Sequence, residues 1–319
     1  MKMPFASRPL AAALLCLMTS VAFGAQVLGP NSDEDDLVPT GKGWGERAAP
    51  TPGYVEHGNG NAHNQAPGRI SGNGINYHGG PLILGTTHIY YIWYGNWSSS
   101  NNTATNILPQ LASYIGGSPY FNINTTYYNG SNVHVSNAAT FSGSTTDSYS
   151  LGTALSDANI QTIVGNAIAS GSLPSDTNAV YFVLTSADVN ETSGFCTQYC
   201  GWHTSGTING SNIKYAFVGN PDRCPSACEA QTTSPNNNPG ADGMASVIAH
   251  ELEEAVTDPN LNAWYDRQGY ENADKCAWTF GTMSTASNGS KYNMTLGGLQ
   301  FLIQRNWVNA SGGYCALSY

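Results

Sequence analysis

The residue types with the clearest chemical potential fall in one run, residues 241–259, ADGMASVIAHELEEAVTDP. His250 and Glu254 are four apart, so on a helix they share a face and can converge on one ion. Glu251 lies about 100° further round, where a zinc helix of the type H-E-x-x-H carries its general base. Glu254 stands where that pattern has its second histidine, so the motif reads H-E-x-x-E. A catalytic zinc needs about three protein ligands and one open position. His250 and Glu254 supply two, and the third is expected from the next segment, at Glu271 or at Asp274. Asp258 would lie about 12 Å from His250 along a continuous helix, so it joins only if the helix breaks at Thr257. Glu251 would then polarise a water and pass its proton to a leaving group, the chemistry of amide or ester hydrolysis.

His203, at the end of the run Cys200-Gly201-Trp202-His203, is the other catalytic candidate. A disulfide-tethered loop could hold it in the same cleft as a transition-state donor or a ligand. Zn is the expected cofactor, with Ca or Mn as alternatives, because two carboxylates and one imidazole are a harder donor set than zinc usually takes. A structural calcium site is the nearest competitor, with Glu253, Glu254, Asp258, Asp266, Glu271 and Asp274 as oxygen donors. The plainest alternative makes His250 a core histidine beside a solvated acidic helix face.

Met244, Val247, Ile248, Leu252 and Val256 form the apolar stripe that makes this run a helix. Asp242 is the expected N-cap, and Pro259 ends the helix because the residue before a proline disfavours α geometry. Elsewhere the pattern predicts strands around a Gly85 turn over residues 82–97 and a helix over 103–115. A strand pair across Asn129-Gly130 is expected over 122–135, and a helix over 156–170, capped by Ser156 or Asp157. Strands are expected at 179–186 and 214–220, and a closing pair at 291–308 joined by Gly297-Gly298. The fold class is α+β, a mixed sheet packed with helices, with a zincin-like strand and active-site helix.

Lys2 and Arg8 precede an apolar run to Phe23, with a small-residue cleavage site at Ala22-Phe23-Gly24, so residues 1–25 read as a secretory signal peptide. Residues 26–74 show no apolar period and read as a disordered leader or pro-segment. The folded domain spans 75–319. Seven cysteines less Cys16 of the signal leave six, which in a secreted chain implies disulfides. Pairing nearest neighbours gives Cys196–Cys200, Cys224–Cys228 and Cys276–Cys315. The formal net charge of −10 and the lack of a basic stripe exclude nucleic acid as a partner. Once the signal is removed, no membrane association is expected, and a monomer is.

The runs GPLILGTTHIYYIWYGNW, FCTQYCGWH, YAFVGNPDRCPSAC, AHELEEAVTDPNLNAWYD, ENADKCAW and FLIQRNW, in this order, together resemble the EXORDIUM, or phosphate-induced protein, family. The resemblance implies a secreted protein of the apoplast or cell wall, linked in plants to growth and cell expansion. It transfers no reaction and no catalytic residues. The site therefore rests on the residues alone, with a peptide or cell-wall component as the expected substrate. A second function class is a non-enzymatic extracellular binding protein for wall glycan. Tyr90, Tyr91, Trp93, Tyr94, Trp97, Tyr127 and Tyr128 would supply its stacking surfaces.

Overall fold

The computed structural model describes residues 38–42, 74–98 and 103–319. The expected signal peptide and most of the expected leader lie outside these residues.

A five-stranded sheet organises the rest. Its strands are β1 (Thr87–Tyr94), β2 (Ala139–Asp147), β3 (Ala179–Thr185), β4 (Gly201–Ile208) and β5 (Ser211–Gly219), in the spatial order β2-β1-β3-β5-β4. β2, β1, β3 and β5 run parallel, and β4 closes the edge antiparallel to β5. The parallel pairs need crossover connections, which helices α1 (Ala104–Tyr114) and α2 (Asp157–Ala169) help to build. The β4–β5 pair needs only a two-residue turn, Asn209-Gly210, with φ of 49° and 80°. Positive φ at both positions matches the right-handed strand twist. Every residue of β3 is buried, as a strand covered on both faces requires.

The third long helix, α3 (Pro239–Thr257), carries the H-E-x-x-E run. It packs on β3, β4 and β5 and also meets α1. A Cβ on Gly201 would come within 2.5 Å of Val247 and 3.1 Å of Glu251, so this glycine lets the helix close onto β4. Two residues on, His203 points to the same side. Gly206 and Ile208 have the opposite parity and meet Gln161 and Gly165 of α2. Helices therefore cover both faces of a mixed sheet, in three layers.

α3 begins earlier than the sequence pattern predicts. Asn238 is its N-cap, accepting from the Ala241 amide at 3.0 Å, with Pro239 in the first turn. Asp242 instead accepts from the Asn236 amide and side chain. The helix ends at Thr257 with Asp258 as C-cap, as Pro259 demands. It is buried on nearly every side rather than along one stripe.

The long hairpin expected over 122–135 is replaced by a 3₁₀ turn, Phe121–Thr126, and a single bridge between Tyr128 and His134. The 3₁₀ turn buries Phe121 and Ile123, which extended strands would place away from this core. Residues 82–86 precede β1 as a loop. The C-terminal region holds small antiparallel pairs, among them Met294–Leu296 with Leu299–Phe301 across Gly297-Gly298, and Asn306–Val308 with Tyr314–Ala316.

The disulfides bear out Cys276–Cys315 and correct the other two expected pairs. Cys196 bonds Cys224, Cys200 bonds Cys228, and Cys276 bonds Cys315. Cys224 precedes and Cys228 ends a single helical turn, Pro225–Cys228, so both sulfurs look the same way. They meet Cys196 and Cys200 of the facing loop as two adjacent rungs. No helix among the described residues is long and apolar enough to cross a membrane.

Candidate metal centre

β4, α3 and the loop after it bring six acid and imidazole side chains together. His250 Nε2 lies 3.0 Å from Glu254 Oε1 and 3.7 Å from Asp274 Oδ1. His203 Nε2 lies 3.2 Å from both Glu271 oxygens and 3.6 Å from Glu254 Oε2. Glu254 thus bridges two imidazoles, one from its own helix and one from the sheet edge. Two sets of three can each offer donor atoms within 4.8 Å of one another, His203 with Glu251 and Glu254, and His250 with Glu254 and Asp274. All six residues are buried, none more than 4% exposed.

Backbone geometry fixes the acids from the loop. The Asp274 amide donates to Glu254 Oε1 at 3.0 Å, and the Glu271 amide donates to Asp274 Oδ2 at 3.2 Å. A 3₁₀ turn, Asp274–Cys276, and the Cys276–Cys315 disulfide hold this loop against the C-terminal strands. Asp258 Oδ1 instead accepts from the Asn262 and Ala263 amides, both at 2.6 Å, closing the turn after α3. Glu253, on another side of the helix, accepts from Asn306 at 2.6 Å.

The electrostatics follow from burial. Glu271 is pushed well above the usual carboxylate range, first by desolvation and then by the charges of Glu254, Asp258, Asp274 and Glu251. Burial drives the His203 imidazole down to about 3, with Asp274 opposing and His250 adding to the drop. A neutral imidazole keeps a lone pair for a metal. Lys275, next to Asp274, gives its ammonium to Asp266 at 3.0 Å.

The donor chemistry fits a divalent cation. Desolvating four carboxylates costs several kcal/mol each unless positive charge or protons arrive. Each converging set holds one imidazole and two acids and shares Glu254, a harder donor set than zinc usually takes. His203 brings a second imidazole to Glu254, from the sheet edge. The overlooked signal for its position was Asn209-Gly210, a two-residue hairpin turn that sets His203 on a strand opposite Ala216.

Of the aromatic residues proposed for glycan stacking, Tyr91, Tyr94 and Tyr127 are fully buried and Tyr90 and Trp93 nearly so. Only Trp97 and Tyr128 retain appreciable exposure. A small cavity of about 20 Å³ lies elsewhere along α3, lined by Glu229, Asp242, Ser246 and Gln304 among others, and by none of the six clustered residues.

Residues 75–315 match the family model described as the phosphate-induced protein 1 conserved region. Among characterised relatives, EXORDIUM-like 5 of Arabidopsis thaliana is 32% identical over 73% of this chain and 75% of its own length. EXORDIUM-like 3 of the same plant is 30% identical over 76% and 82%. PHOSPHATE-INDUCED 1 of Nicotiana tabacum is 27% identical over 60% and 67%. No solved structure matches the chain.

Proposed function

The chain belongs to the phosphate-induced protein 1, or EXORDIUM, family, and from that premise we propose that it is a secreted, metal-dependent hydrolase of the peptidase type. The reading rests on one observation above all. Glu254 sits between His250 and His203, within reach of Glu251, on the helix beside the antiparallel edge strand. An antiparallel edge strand next to a zinc helix is the layout of a zincin-like site. Glu254 is the shared ligand, with His250 and Asp274 completing one set of three and His203 and Glu251 facing its other side. Three disulfides agree with an oxidising, extracellular compartment.

When bound, the cation, Zn in this reading, supplies Lewis acidity. The protein's own residues do the rest. Glu251 takes the proton of the attacking water and returns it to the leaving amine. The Asp274 amide fixes the Glu254 carboxylate, and Glu271 holds the His203 ring through its Nε2. The low dielectric of the closed site strengthens each of these interactions.

The closure of the site favours a second reading, in which the cation ties α3 to the Glu271–Asp274 loop without turnover. Metal analysis and a Glu251→Gln variant separate the two. The hydrolase reading expects about one zinc per chain, chelator-sensitive cleavage of a mixed peptide library, and loss of cleavage by about 10²-fold or more in Glu251→Gln with the metal retained. Metal without cleavage in both proteins leaves the structural cation. No metal in a folded chain overturns both.

A further inference from the structure

The sheet edge beside the site is occupied by the chain's own leader. β4 pairs with β5 on one side only. On its other side, the His203 amide donates to the Gly41 carbonyl at 2.9 Å. Gly41 has φ of 69°, and a Cβ there would fall 2.0 Å from the His203 carbonyl oxygen and 3.2 Å from Leu261. Only glycine fits that approach. Pro39 and Gly41 are both buried.

Lys42 fills a pocket of its own. Its ammonium lies 2.6 Å from Asp157 and 2.7 Å from Ser193. It also stands 5.4 Å from the centre of the Tyr199 ring and 5.8 Å from that of Trp202. Glu191 holds Ser193 and Tyr199 in place through hydrogen bonds. One acid, one hydroxyl and two aromatic faces around one ammonium make a cation-selective pocket. It opens on the strand that carries His203.

We propose that the outer edge of β4, together with the pocket of Asp157, Ser193, Tyr199 and Trp202 that Glu191 braces, is a binding site for a polypeptide segment that bends at a Gly-Lys step, and that residues 38–42 occupy it as an intramolecular ligand. This rests on the hydrolase reading for its purpose, because it names that enzyme's substrate class and makes the leader its inhibitor. The recognition is backbone contact with the strand edge plus a side-chain pocket. The main-chain hydrogen bond between the His203 amide and the Gly41 carbonyl anchors the segment to β4, and the lysine pocket supplies register. Tethering raises the local concentration of the leader, so an untethered peptide competes poorly until the leader leaves.

The test uses the full chain, its Gly41→Val variant and a synthetic peptide of residues 37–44, LVPTGKGW. Valine at position 41 strikes the His203 carbonyl and expels the leader. The variant should bind the peptide at least about tenfold more tightly than the wild type does. Its His203 amide should exchange with solvent at least about tenfold faster, and re-protect when peptide is added. A peptide with glutamate in place of the lysine should bind neither protein. Equal peptide binding by wild type and variant, an unchanged His203 exchange rate, or equal binding of the glutamate peptide each overturns the proposal. If Gly41→Val does not fold, Lys42→Glu takes its place, with the same measurements and the same outcomes for and against. None of these readouts needs metal or turnover. A chain without zinc therefore sinks the hydrolase and leaves the peptide site standing, whereas a failed peptide test leaves the metal centre untouched.

Discussion

Asp266 and Glu254 are both buried acids, and the structure neutralises them in different ways. Asp266 has the Lys275 ammonium at 3.0 Å, with that ammonium also 4.6 Å above the Trp307 ring. Its other oxygen accepts from the Gln268 and Tyr270 amides. The charge is met by the chain itself, in a fixed geometry. Glu254 lies instead among three further carboxylates and two imidazoles, and the neutral state favoured for His203 removes one source of positive charge. A self-paired acid is part of the scaffold. A buried cluster of carboxyls and imidazoles, with Glu271 held well above the usual carboxylate range, is the general signature of a functional site.

Removing the cation should expose the contrast most strongly. A ligand present at a thousand times its dissociation constant stabilises the folded state by about 4 kcal/mol. Dialysis against a chelator at pH 7 should lower the unfolding free energy by up to about that amount, and zinc should restore it. Glu254→Gln should lose most of the response to both treatments. An unfolding midpoint indifferent to chelator and zinc would erase the distinction between the two regions.

The Asp266–Lys275 pair should behave in the opposite manner. Lys275→Ala strands a buried carboxylate, and breaking such a pair costs about 3 kcal/mol or more. The loss should be the same with and without chelator, measured by urea unfolding. A chelator-dependent loss would mean that Lys275 helps to balance the metal cluster, and the two regions would merge into one.

A smaller effect is expected at the leader. Lys42 and Asp157 keep part of their surface in water, so Lys42→Ala should cost about 1 kcal/mol or less, and raised salt should shrink the difference. A larger, salt-independent loss would place this pair with the scaffold.

The sequence carried these regions unequally. Ser156 and Asn159 form a reciprocal capping box, and Ile160, Ile163, Val164 and Ile168 pack inward, so α2 is readable from a short local pattern. The unbroken apolar run of β3 is equally plain. β2 is not, because ATFSGSTTD is a polar edge strand whose burial only alternates between partial and exposed. Two Asn-Gly steps show the limit of local signals. Asn209-Gly210 turns a full hairpin, while Asn129-Gly130 turns one bridge, because Phe121 and Ile123 are drawn into the core as a 3₁₀ turn. His250, Glu251 and Glu254 were legible as a set from helix spacing. The meeting of His203 with Glu271, 68 positions away, and with Glu254 was not, since it joins separate elements of the fold. The disulfide rungs were hidden for the same reason, because spacing in the chain does not say which loops face each other.

Glu229 offers the finest test, since it is a buried acid with neither a metal cluster nor a lysine to meet its charge. It lines the small cavity beside α3. Burial, and then the Asp222 charge, raise its carboxyl from the ordinary 4.5 to about 7. Between those two values the folded chain holds a proton that the unfolded chain has released. Stability therefore falls as pH rises from about 4.5 to about 7 on this account, and the full benefit is present only at the acid end. Glu229→Gln keeps the shape and removes the titration. Its unfolding free energy should depend less on pH across that window, and at pH 8 the variant should be the more stable protein. Parallel pH profiles for wild type and variant would show that the Glu229 carboxylate is met after all, as Asp266 is by Lys275.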